Sequence, residues 1–224
     1  MHMESAAVPV TRLSRPRAYV VYLLAFIAGF CIMSLELLGG RLLAPYFGSS
    51  IHVWGSVITV FMLSLAIGYL LGGRLSLREP SLDRFALILL GAAACLYPLV
   101  FFSESVMNGI FERILDPRYG SLAAAGVLFT VPTVIMGMIS PYSVRLLVDT
   151  TERSGQVAGI LYFVSTLGSA LGTLATSFYF VLWFEMQTIL TALTGALLAS
   201  SLIAAGTARI RTRPAIADAP ANAR

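Results

Sequence analysis

Apolar residues in this chain come in long blocks rather than narrow stripes. Six stretches, residues 18 to 35, 42 to 73, 85 to 103, 119 to 144, 154 to 184 and 186 to 208, contain no Asp, Glu, Lys or Arg. A helix crossing the hydrocarbon core of a bilayer needs roughly 17 to 25 predominantly apolar residues. Each block is therefore long enough for one crossing, and the longer blocks leave residues over for loops. The pattern predicts helices over residues 18–39, 52–73, 84–103, 121–140, 155–181 and 187–208. Residues 1–17 and 209–224 read as short polar tails around a transmembrane domain of residues 18–208. After the third block, Val106, Met107, Ile110, Phe111, Ile114 and Leu115 recur at helical spacing, with Asn108, Glu112, Arg113 and Asp116 on the other side. That spacing predicts a short helix on the outer membrane surface ending at Pro117, with an extension of the third helix as the alternative. Pro98 and Pro132 fall inside the third and fourth helices, where each removes a backbone hydrogen bond.

Composition agrees with the blocks. The chain is 58% hydrophobic and 12% charged, with mean hydropathy +0.85, against about 25% charged in soluble domains. The net charge of +4 is not a nucleic-acid signature here, because the basic residues, all arginine, alternate in placement with each crossing. Arg12, Arg15, Arg17, Arg74, Arg78, Arg84, Arg145, Arg153, Arg209, Arg211, Arg213 and Arg224 fall on one side, and Arg41, Arg113 and Arg118 on the other. The positive-inside rule then puts both termini in the cytoplasm of a multi-pass cell-membrane protein. The first block is too long for a signal-peptide core and lacks a small-residue cleavage site, so it is read as a retained helix. Cys31 and Cys95 lie within apolar blocks as small buried hydrophobes.

The chain also resembles itself. Shifted by 104 positions, Arg41, Leu42 and Leu43 fall on Arg145, Leu146 and Leu147, and Gly68 falls on Gly172, among 14 identities in the 54 positions from 41 to 94. Chance would give roughly five in so apolar a chain. Each unit carries three crossings, an odd number, so the second copy is inverted relative to the first. The expected fold is an all-α integral membrane protein with six transmembrane helices in a 3+3 inverted repeat, resembling half of a major facilitator fold. Gly68 and Gly72, and Gly168 and Gly172, form small-xxx-small pairs suited to close helix packing.

Few residues could carry chemistry. Glu36 follows an 18-residue uncharged run, roughly 27 Å along a helix counted from Ala18. It is either a cation or proton site in a cavity or a solvated carboxylate near the outer interface. Arg41 and Arg145, equivalent under the repeat, are expected at opposite faces, as pathway residues or as interfacial anchors. The segment from Ala44 to Gly55 reads as the connection between the first two helices, with Tyr46 and Trp54 at headgroup level and His52 as a proton-linked or simply interfacial side chain. Zinc spacing, a phosphate loop, a dinucleotide fingerprint and a nucleophilic triad are all missing, so no metal or cofactor is expected.

The stretch LELLGGRLLAPYFGSSIHVWGSVITVFMLSLAIGYLLGGRL, with MGMISPYSVRLL and GILYFVSTLGSALGTLATSFYF, resembles the membrane domain of fused major-facilitator/spermidine-synthase-like proteins over residues 20 to 190. In that family a cytoplasmic aminopropyltransferase-like domain follows the helices. Residues 1–224 contain no stretch read as that domain, so no enzyme activity is expected of them. The resemblance implies a membrane subunit or anchor for a separately encoded spermidine-synthase-like protein. The alternative is a half-size transporter that pairs as a homodimer and moves a polyamine or other small organic cation. An activity reporter fused after Arg224 should read as cytoplasmic; an extracytoplasmic signal would overturn the topology.

Overall fold

The computed structural model describes residues 15–148 and 150–209, so the tails read from the sequence lie largely outside the described residues. Among the described residues six helices are long and apolar enough to cross a membrane: α1 (Arg15–Phe47), α2 (Ile51–Ser76), α3 (Leu82–Phe111), α4 (Pro117–Leu147), α5 (Ser154–Trp183) and α6 (Met186–Arg209). Strands do not occur among the described residues. All six apolar blocks thus appear as helices, several of them longer at one or both ends than their pattern implied.

Two loops depart from expectation. Ala44 to Phe47 is the last turn of α1, and Ile51 to Gly55 opens α2. Only Gly48 to Ser50 connect them, because Gly48 takes φ of 77° and its N–H closes on Ala44 O at 2.9 Å. The separate surface helix after the third span is also absent. Instead α3 runs unbroken to Phe111, which packs edge-on against Tyr46 and Phe47 at 5.9 and 5.8 Å. Pro117 begins a helix rather than ending one: Asp116 caps α4 by accepting from Arg118 N–H at 2.9 Å, and proline is well suited to the first turn.

Contacts fix the two ends of the bundle. Ser81, between α2 and α3, donates its N–H to Tyr142 Oη near the end of α4 at 3.0 Å, and Ser201 of α6 donates to Ala86 O of α3 at 2.8 Å. At the opposite face Arg41 of α1 reaches Val181 O of α5 at 2.6 Å. The starts of α1, α3 and α5 and the ends of α2, α4 and α6 therefore share one face, called here the terminal face.

Three pairings dominate: α1 with α5, α2 with α4, and α3 with α6. In the first two, neighbouring helices run parallel and touch through glycine. A Cβ at Gly168 or Gly172 would collide with the carbonyls of Phe26 and Phe30, and one at Gly68 or Gly72 with those of Val134 and Met138. The small-residue pairs read from the sequence therefore lie at close helix contacts, as does Gly29, where a Cβ would meet Ser165 O. Lipid is as apolar as leucine, so packing and polar contacts hold membrane helices together. Gly68→Ala and Gly172→Ala should each destabilise the purified protein by about 1 to 3 kcal/mol through overpacking. Gly159→Ala, where nothing lies within 4 Å of the new Cβ, should leave the melting temperature unchanged in the same assay.

Candidate functional site

Between α1, α2, α4 and α5, in the half of the bundle nearer the terminal face, lies a cavity of about 440 Å³. Its walls follow from helical spacing. Ala25, Ala28, Gly29, Ile32 and Met33 form one stripe of α1, Leu65 and Tyr69 one of α2, and Ser165, Thr166 and Ser169 one of α5. The α4 wall is Met136 to Pro141, where the helix is interrupted at Met138. Pro141 has no N–H to offer Gly137 O, so the interruption has a local cause. The second half of α4 is then held by Tyr142, fully buried and stacked on Phe85 at 6.0 Å, with its hydroxyl on the backbone of Ser81.

On the side away from the terminal face the space is closed by large side chains. Phe129 packs against Phe61 with ring centroids 5.5 Å apart, and a Cβ at Gly39 would lie 3.1 Å from Phe129. The next glycine, Gly40, is covered by the Trp54 ring.

Glu36 lies just on the cavity side of this plug. It is 7% exposed, and its Oε2 has no hydrogen-bond partner in the protein. Because α1 continues to Phe47, Glu36 is not at the helix end, as its place in the sequence suggested; it is roughly 8 Å past the midpoint of α1 at 1.5 Å per residue. It also extends the α1 stripe that lines the cavity, one turn beyond Ile32 and Met33. Two more buried polar atoms have no partner: Thr133 Oγ1 on α4 and Thr176 Oγ1 on α5, both on residues with 0% exposure. Neither threonine stood out in the sequence, since each sits alone in apolar helix.

The other sequence candidates lie elsewhere. Arg41 is exposed on the far face and donates to Val181 O. His52 is exposed in the first turn of α2, and Arg145 is exposed in the last turn of α4 at the terminal face. These three residues do not meet one another or Glu36. Cys31 is buried and Cys95 half-buried, both as free thiols.

No family model, curated protein or solved structure matches the chain. The arrangement is a mainly apolar chamber lined by the hydroxyls of Ser140, Ser165, Thr166 and Ser169 and by two tyrosines, Tyr69 and Tyr162, with the buried Glu36 carboxyl one helical turn beyond its lining. In a Cys31→Ser/Cys95→Ser background, Ser140→Cys and Ser165→Cys should react with a small membrane-permeant thiol reagent. Ser34→Cys, fully buried where Ser34 bonds Gly172 O, should stay unlabelled, because thiolate chemistry needs access to water.

Proposed function

We propose that the chain is the membrane module of a spermidine-synthase-like system: a 3+3 inverted-repeat bundle that serves a separately encoded cytoplasmic aminopropyltransferase-like protein and handles its amine substrate or product within the membrane. The observation that carries the module reading is the register of the two parallel crossings. Gly68 meets Val134 O, and Gly172 meets Phe30 O. Shifting Gly68 by 104 gives Gly172, and shifting Phe30 by 104 gives Val134, so these two contacts have the exchanged partners that an inverted repeat would produce, which supports the reading. The chamber lies between the two units and beside the interrupted α4, and inverted-repeat transporters hold substrates at the repeat interface, typically beside discontinuous helices.

The partner half of the reading rests on the family resemblance. Exposed Arg74, Arg78, Arg145 and Arg153 at the terminal face supply a positive surface on which a soluble protein could dock. The second reading, a homodimeric half-size transporter, is favoured by one feature: α5 has only 17% of its most apolar window buried, where the other five spans have 44 to 50%. A second copy against α5 would cover the helix that contributes Ser165, Thr166 and Ser169 to the chamber.

Affinity purification from native membranes in mild detergent, with mass spectrometry and sizing, tests both. The expected result is stoichiometric recovery of a soluble aminopropyltransferase-like protein, lost when Arg74, Arg78 and Arg145 are changed together to glutamate. Recovery of the chain alone as a dimer would select the transporter reading. Unchanged partner recovery in the charge-reversed variant would remove these loops as the docking surface.

A further inference from the structure

Among the described residues three buried side-chain polar atoms lack partners, and because an unsatisfied buried polar group is costly they call for an explanation. Their positions supply it. Between α1 and α5 the cross-helix hydrogen bonds Ser169 to Gly29 O and Arg41 to Val181 O both join residues 140 apart. The same offset carries Glu36 to Thr176. Between the antiparallel α1 and α4, Gly39 faces Phe129, so three residues back along α1 and three forward along α4 bring Glu36 level with Pro132 and Thr133. The three orphaned groups thus share one level of the bundle.

They also share a direction. Thr133 lies one turn before Met136 and Gly137 on the cavity-lining stripe of α4, and Thr176 lies two turns beyond Ser169 on that of α5. Glu36, Thr133 and Thr176 are not themselves lining residues; each continues its stripe past the last lining residue, toward the closed end of the chamber.

The backbone around them is unusual as well. Thr173, Thr191, Thr194 and Thr207 each donate to the carbonyl four residues earlier, the ordinary way a threonine is satisfied inside a helix. Thr133 and Thr176 do not. Pro132 cannot donate to Leu128 O. At Thr176 the helix passes into a π-turn, Thr176–Phe180, in which Val181 N–H reaches back five residues to Thr176 O. Such turns occur mostly as single bulges and frequently at functional sites.

We infer that Glu36, Thr133 and Thr176 form one cation site at the closed end of the chamber, built for the primary ammonium end of an alkylamine whose carbon chain lies along the chamber. A primary ammonium carries three N–H donors, matching three oxygen acceptors. One carboxylate balances one charge, which a membrane interior requires and a divalent ion would exceed. An alkali ion would satisfy the charge but has no use for walls of Ala25, Ala28, Ile32, Leu65 and Met136. An alkyl chain does, and a second ammonium of a longer amine would find the faces of Tyr69 and Tyr162 farther along. This deepens the proposed function and rests on its amine-handling half, not on the existence of a soluble partner.

The test is equilibrium binding of radiolabelled 1,4-diaminobutane to the purified full chain in nanodiscs, with n-butylammonium, tetramethylammonium and sodium as competitors. Butylammonium should displace the label, whereas tetramethylammonium, which has no N–H, and sodium should not. Glu36→Gln should weaken binding about 30-fold, and Thr133→Val and Thr176→Val about 5-fold each. Arg41→Gln should bind as the unaltered chain does. Melting temperatures without ligand identify any variant that fails to fold, in which case the near-isosteric threonine variants decide. Equal affinity in Glu36→Gln and both threonine variants would overturn the site while leaving amine handling intact. Displacement by sodium would overturn its assignment to an organic amine, and no binding to the unaltered chain would overturn site and amine handling together. Glu36-dependent binding with no partner recovered from membranes would uphold the site and refute the partner reading.

Discussion

Direct contact between glycine and a neighbouring backbone carbonyl is the constraint on which the rest of this bundle depends. Inside a bilayer, hiding leucine from lipid gains little, so helices hold together where their surfaces interlock closely and where hydroxyls find partners. Gly168 and Gly172 bring α5 onto α1, and Gly68 and Gly72 bring α2 onto α4. With those distances set, Ser34 can reach Gly172 O and Ser169 can reach Gly29 O, and Ser56 meets Ser121 at 3.0 Å between α2 and α4. The polar contacts follow from the glycines. A hydroxyl on a short side chain bridges two helices only when their backbones are already close.

The same two crossings make the chamber. Tight packing on the α1–α5 and α2–α4 lines leaves the space between the two pairs to be filled by whatever side chains point inward. On the far side Phe61, Phe129 and Trp54 fill it; nearer the terminal face the inward residues include Ala25, Ala28, Gly29, Gly137 and Ser140, which leave space between the larger Met33, Leu65 and Met136. The position of the cavity is thus a matter of side-chain volume along four helices. Behind it, α3 and α6 pack on each other and close the bundle through buried aliphatic residues such as Leu89, Leu96, Leu193 and Leu197.

The helices were legible because an uncharged block of twenty residues has few other solutions, and the close-packing glycines because small-xxx-small spacing repeats on two helices. Helix ends were less so. Pro45 looked like a loop residue but lies within the last turns of α1, and the true break is three residues later at Gly48. Pro117 looked like a stop and is a start, because a cap at Asp116 changes what the proline means. Of the candidate site, Glu36 was visible as a carboxyl in apolar sequence, whereas His52, Arg41 and Arg145 stood out for their type and lie apart. Thr133 and Thr176 carried no local signal at all. A threonine inside an apolar helix normally bonds its own backbone, and only the three-dimensional register reveals two that do not.

That failure to back-bond bears on two departures from regular helix, Pro132 and the π-turn, that share a level; the break at Met138 lies nearer the terminal face. A bundle held by glycine contacts has little reason to tolerate a proline at position 132, a π-turn at Thr176–Phe180 and a buried carboxyl, since each gives up hydrogen bonding that lipid cannot replace. If each served only its own helix, they would be expected at scattered depths. Instead the π-turn begins at the residue level with Glu36 on α5, and Pro132 sits beside the residue level with Glu36 on α4. Pro132 and the π-turn change the carbonyl pairing on two helices at the depth where a third carries a buried carboxyl. Such a coincidence is costly for a structural plug and useful for holding a positive charge away from water. The irregular level of the bundle is thus where the proposed cation site and the departures at Pro132 and Thr176 share one physical explanation.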